Sequence, residues 1–135
     1  MKHVIPCIMA AFSLFAAAAA AQTPEKPLTV EERAAREADR LETLLDLDLS
    51  QVFLVDSTLQ HDLAALEAEM NDLRRTQVYN TDIYQAISDK WAERIDRSYE
   101  RIFHPDQWAR YLKTGGARAQ KARDKRKAKA QGGKR

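Results

Sequence analysis

Apolar positions recur at spacings of three and four along most of this chain and nowhere alternate with period two, a pattern that predicts helices and no sheet. Thr29-Val30-Glu31-Glu32 has the form of a capping box, in which a hydroxyl and a carboxylate each satisfy a backbone amide left free at a helix start. A first helix is expected from there, with Ala34, Ala38, Leu41 and Leu45 on one face as far as Leu47. Asp48-Leu49-Ser50-Gln51 is a second capping box. It opens the longest periodic run, Leu49, Val52, Asp56, Leu59, Leu63, Leu66, Met70 and Leu73. A helix of about 28 residues would be roughly 42 Å long, and a seam of that length wants a partner helix beside it. Asp56 interrupts the seam, either as a partly solvated position or as a buried polar contact that sets the register.

Val78-Tyr79-Asn80-Thr81-Asp82 breaks the pattern and offers cap residues, which predicts a hairpin turn. A third helix follows, with Ile83 or Tyr84, Ile87, Trp91, Ile95, Ser98 or Tyr99, and Ile102 on one face. It ends at Phe103-His104-Pro105-Asp106-Gln107, where proline suits the first position of a new helix capped by His104. That short fourth helix, with Trp108, Tyr111 and Leu112 available for packing, stops at Gly115-Gly116. The expected fold class is therefore all-α, a long antiparallel helical hairpin of about four helices.

The two ends change the picture. The first 21 residues read as a cleavable export signal, with Lys2 as the charged start, an apolar stretch from Val4 to Ala20, and Ala19-Ala20-Ala21 as the cleavage run. An exported protein cut near Ala21 is expected. Cys7 is the only cysteine and lies in the segment to be removed, so the remaining chain has no thiol for a disulfide, a metal or a nucleophile. Residues 22–28 form a Pro-bracketed linker, 29–114 the helical domain, and 115–135 a basic tail. Residues 117–135 hold nine Lys or Arg against one acid, while residues 22–116 hold 19 acids and 12 bases, so an acidic body carries a basic tail. No apolar residue in the tail is larger than alanine, and disorder is expected there. Arg118, Lys121, Arg123, Lys125, Arg126, Lys127 and Lys129 are the candidate contacts to an anionic surface such as a membrane.

The helix starts share a phrase: an apolar residue, a cap, two variable positions and a glutamine, as Leu47, Asp48 and Gln51, and again as Phe103, His104 and Gln107. This resembles the Spy/CpxP family of periplasmic proteins, whose signature is two copies of Leu-Thr-x-x-Gln in an exported helical chain. The capping threonine is replaced by Asp48 in one copy and His104 in the other, and the second leucine by Phe103. The resemblance spans roughly residues 29–113. It implies a thin antiparallel homodimer of bent hairpins forming a cradle, and an ATP-independent chaperone for unfolded proteins in the envelope stress response. The alternative it implies is an adaptor or sensor whose body binds a membrane-anchored partner while the basic tail rests on an anionic surface. Two or three long amphipathic helices cannot close a thick core in about 85 residues, which agrees with a dimer.

The residues offer no catalytic constellation, and an enzyme is not expected. His61 and His104, the only histidines after the leader, lack a second ligand at helical spacing, and Asp62 beside His61 is expected to point elsewhere. A metal shared across a dimer is the one arrangement left open, and no cofactor is expected. Glu67-Glu69 and Glu31-Glu32 fall on expected solvent faces. The aromatic residues Tyr79, Tyr84, Trp91, Tyr99, Phe103, Trp108 and Tyr111 are expected to pack the third and fourth helices against the second, or in part to line an apolar surface for clients. Export disfavours nucleic acid as the tail's partner.

Overall fold

The computed structural model describes residues 26–133, so the export-signal reading of residues 1–21, Cys7 and the first part of the linker lie outside the described residues. The described chain is all-helical, with no strand: α1 (Val30–Leu45), α2 (Leu49–Arg75), α3 (Thr81–Ile102), α4 (Pro105–Tyr111), a π-type turn (Leu112–Gly116) and α5 (Ala117–Gly132). None of its helices is long and apolar enough to cross a membrane.

The boundaries are set by local chemistry. At the start of α1 the Thr29 hydroxyl accepts from the Glu32 amide while Glu32 accepts from the Thr29 amide. α1 ends because Asp46 turns left-handed (φ 57°), a conformation that aspartate tolerates. The amides of Asp46 and Leu47 then both donate to the Glu42 carbonyl. Asp48 immediately caps α2 through the Gln51 amide. Beyond Arg75, Gln77 takes a positive φ of 58° and Asn80 caps α3 through the Asp82 amide.

α1 lies antiparallel along α2, and α3 folds back along the other side of α2, tied to it at Glu69–Lys90 (2.6 Å), Asp62–Arg94 (3.3 Å) and the Gln51 end. The core runs between α1, α2 and the end of α3: Ala34, Ala38, Leu41, Leu45, Leu47, Val55, Leu59, Tyr99 and Phe103. The residues that α2 buries, Gln51, Val55, Leu59 and Asp62, recur at spacings of four, four and three, a seam along one face flanked by the half-buried Val52 and Leu63. Leu49, expected on that seam, is instead 84% exposed. Asp56 is half-buried and accepts from Gln60 (2.7 Å), one turn along the same helix.

The tail differs from expectation. Composition predicts disorder for residues 115–135, yet Ala117–Gly132 is a helix. Its alanines, lysines, arginines and glutamines are strong helix formers, and it has something to dock on, as described below. The kink between α4 and α5 depends on Gly115, whose φ of 130° strains any residue with a Cβ. Gly115→Ala should therefore destabilise the protein by about 1 kcal/mol, read as a lower midpoint in urea with an unchanged slope.

Candidate functional site

The two sequence phrases meet in space. Gln51 and Gln107, 56 residues apart, pair amide to amide: Gln51 Nε2 donates to Gln107 Oε1 (2.7 Å) and Gln107 Nε2 donates to Gln51 Oε1 (3.1 Å). Each also accepts from the cap of its own helix, Gln51 from the Asp48 amide (3.0 Å) and Gln107 from the His104 amide (2.8 Å). Each donates its second N–H to the carbonyl five residues before the other glutamine, Gln51 to Ile102 (2.9 Å) and Gln107 to Asp46 (3.2 Å). The arrangement is a local pseudo-two-fold in which each buried side chain uses both donors and both acceptor positions. Leu47 and Phe103, the apolar residues of the two phrases, are buried beside it.

His104 holds the N-cap position of α4, as expected, and Gln107 three residues on accepts from its amide. The carboxamide of Gln107 closes that helix start from the inside, and Arg110 adds a 2.7 Å bond to the Leu45 carbonyl at the end of α1. The clamp thus ties the α1–α2 turn to the α3–α4 turn. Its amides are saturated, so it orders the scaffold and offers no vacant donor or acceptor for a ligand.

The aromatic residues divide. Tyr99, Phe103, Trp108 and Tyr111 form one cluster with ring centroids 5.1–6.0 Å apart where α3 meets α4. Trp91 is half-buried and donates its indole N–H to Glu69 (2.7 Å). The Tyr84 hydroxyl closes the α2–α3 turn on the Val78 carbonyl (2.8 Å). Tyr79 stands out in solvent, 81% exposed.

Among the described residues two apolar patches remain uncovered. Leu49 and Phe53 are 84% and 68% exposed, one turn apart on the open face of α2, and Leu54, on an adjoining side of the same helix, is 45% exposed. Tyr79 and Ile83 form a second patch at the opposite end of the α2–α3 hairpin. Phe53 was not singled out from the sequence, although the signal was present: it lies four after Leu49 and outside the α2 face that carries Val55 and Leu59.

The structure divides the seven tail cations. Arg123 pairs with Asp96, Arg126 with Asp89 (2.7 Å) and Lys127 lies 3.9 Å from Glu93, so three are taken up by α3. Arg118, Lys121, Lys125 and Lys129 are exposed and make no ion pair among the described residues. Asp96, missed from the sequence, is the dock: a buried carboxylate that accepts from the Tyr111 hydroxyl (2.6 Å), from Gln120 (3.3 Å) and from Arg123. Burial, reinforced by that carboxylate, pushes the Tyr111 phenol well above its ordinary range, so the hydroxyl stays a donor.

Asp89 gives the dock a pH dependence. The hydrogen bond from Arg126, helped by Gln85 (3.0 Å), holds its carboxyl below the ordinary value of 3.8. A lowered folded-state pKa stabilises the protein above the unfolded value and loses that contribution as pH falls through the folded one. The outer half of α5 should therefore loosen only below about pH 4, seen as loss of amide protection around residue 126, and Asp89→Asn should loosen it at neutral pH and abolish the acid step.

His61 Nδ1 lies 2.9 Å from Asp62 Oδ1, so the expectation that Asp62 points away from it does not hold. Asp62 is buried and also faces Arg94 (3.3 Å). Among the described residues no three His, Cys, Asp or Glu side chains gather as a metal-ion site. No family model, curated protein or solved structure matches this chain.

Proposed function

We propose that this protein is an ATP-independent chaperone of the periplasm, which holds unfolded or partly folded proteins reversibly on a thin helical body. The observation that carries the reading is the pair of uncovered apolar patches, Leu49 with Phe53 and Leu54 at one end of the α2–α3 hairpin and Tyr79 with Ile83 at the other. The ends of α2 are about 40 Å apart, so one extended client segment can touch both. Each patch is small, with Asp48 and Asp56 close in sequence to one and Asp82 to the other, which favours fast, weak capture over a permanent grip. The rigidity needed to keep apolar groups in water comes from the Gln51–Gln107 clamp and the aromatic cluster. The two helix-start phrases, which resemble those of the Spy/CpxP family, support the same reading.

The test is an aggregation assay without nucleotide, in which a chemically denatured model protein is diluted into the purified chaperone. Suppressed scattering with regained client activity at near-stoichiometric amounts is expected. Leu49→Ser combined with Phe53→Ser should weaken suppression about tenfold, while changing stability by no more than about 0.5 kcal/mol, since both side chains are exposed. No effect of the wild-type protein on scattering or recovery would sink the proposal. A homodimer belongs to the same proposal, because the thin body leaves these side chains uncovered. Sedimentation velocity reads it, and a dimer that dissociates in the double variant would reassign the α2 patch to self-association.

A further inference from the structure

α5 is a helix with no buried residue, whose polar groups are sorted by face. The side toward α3 carries Gln120, Arg123, Arg126 and Lys127, all in contact with Asp96, Asp89 or Glu93. Arg118, Lys121, Lys125 and Lys129 recur at spacings of three, four and four, which places them in one stripe away from the ion pairs, with Lys129 also bordering the cleft between α3 and α5. The stripe is about 17 Å long, and its four side chains are exposed.

We propose that this stripe is a contact surface for an anionic lipid bilayer, laid flat on the headgroups with the helical body held behind it. The inference goes beyond the chaperone reading, because neither apolar patch lies on α5. A straight, single row of cations on a convex helix fits a flat partner whose charges lie everywhere in its plane. α5 has no aromatic side chain to stack on a base or sugar. The contact is purely electrostatic: α5 has no apolar residue larger than alanine, so nothing enters the acyl region.

The acidic body does not cancel the attraction. The α3 acids Asp96, Asp89 and Glu93 are paired with Arg123, Arg126 and Lys127, and Asp124 is the one acid on α5, which leaves the stripe a surplus of three positive charges. The docking pairs thus do two things at once, neutralising α3 and aiming the free cations outward.

The experiment is co-sedimentation of the protein with vesicles of phosphatidylglycerol and phosphatidylcholine, beside vesicles of phosphatidylcholine alone, at low and high salt. The expected result is binding to the anionic vesicles only, lost at high salt. The quadruple variant Arg118→Gln, Lys121→Gln, Lys125→Gln and Lys129→Gln should bind on the order of a hundredfold more weakly, each charge near such a surface being worth up to about a fivefold change in partitioning. A control with the same loss of charge elsewhere, at the exposed Arg36, Arg74, Arg101 and Lys113, should stay within a few-fold of wild type. Far-ultraviolet circular dichroism confirms that both variants keep their helices. Equal loss in the two variants would overturn the proposal in favour of net charge. Binding of inorganic polyphosphate without any binding of anionic vesicles would overturn it in favour of a soluble polyanion.

Discussion

Gln51→Ala is expected to destabilise the protein by about 4 kcal/mol, and Gln107→Ala by about as much, with the double variant falling short of their sum by about 2 kcal/mol. Either single change removes a carboxamide whose four hydrogen-bonding positions are all used and leaves the other carboxamide buried with half its partners gone. Gln51→Ala also orphans the Ile102 carbonyl and the Asp48 amide; Gln107→Ala orphans the Asp46 carbonyl and the His104 amide. An unsatisfied buried polar group costs about 1–3 kcal/mol, so two or three of them consume much of a small domain's stability of about 5–15 kcal/mol. The shortfall arises because the two direct bonds between the carboxamides can be lost only once. Urea unfolding followed by Trp fluorescence gives the four free energies of the cycle, with the midpoint expected to move and the slope to hold. Strict additivity would mean that each glutamine acts only as the cap of its own helix.

That clamp marks the border between what the sequence discloses and what it does not. Helix starts are local events: the boxes at Thr29–Glu32 and Asp48–Gln51 and the proline at 105 announce α1, α2 and α4 because their hydrogen bonds span three residues. The same two glutamines can be read as caps from either phrase alone, but their pairing closes over 56 residues and leaves no trace in spacing. Leu49 fits the three-four pattern yet stands in water, because the buried seam of α2, Gln51, Val55, Leu59 and Asp62, is turned to the other side of the helix from it. The tail shows the opposite error. Its composition offers nothing to bury, so disorder is the natural expectation, but Asp96, an acid hidden among the apolar residues of α3, gives Arg123 and Gln120 a place to dock. An aspartate between Ile95 and Tyr99 is the one sign of that dock in the sequence.

The second large effect follows from that aspartate. Asp96→Ala should cost about 3 kcal/mol, the low end for removing one partner of a buried ion pair, because it strips the counter-charge from Arg123 and the acceptor from the Tyr111 hydroxyl together. The low end applies since Arg123 can swing into water as α5 lifts away, whereas Tyr111 is held by Trp108 and Phe103. The loss should be confined: Gly116 sits against the Tyr111 ring, so loosening the phenol frees the π-type turn and α5, while the core between α1 and α2 is untouched. Asp96→Asn, which keeps an acceptor for the hydroxyl but not the charge, should cost about half as much. Amide hydrogen exchange separates local from global loss. Protection should fall across residues 117–132 in both variants and remain in α2 around Val55 and Leu59. If α5 keeps its protection in Asp96→Ala, the helix is held by Asp89 and Glu93 alone, and the buried carboxylate serves only to fix Tyr111.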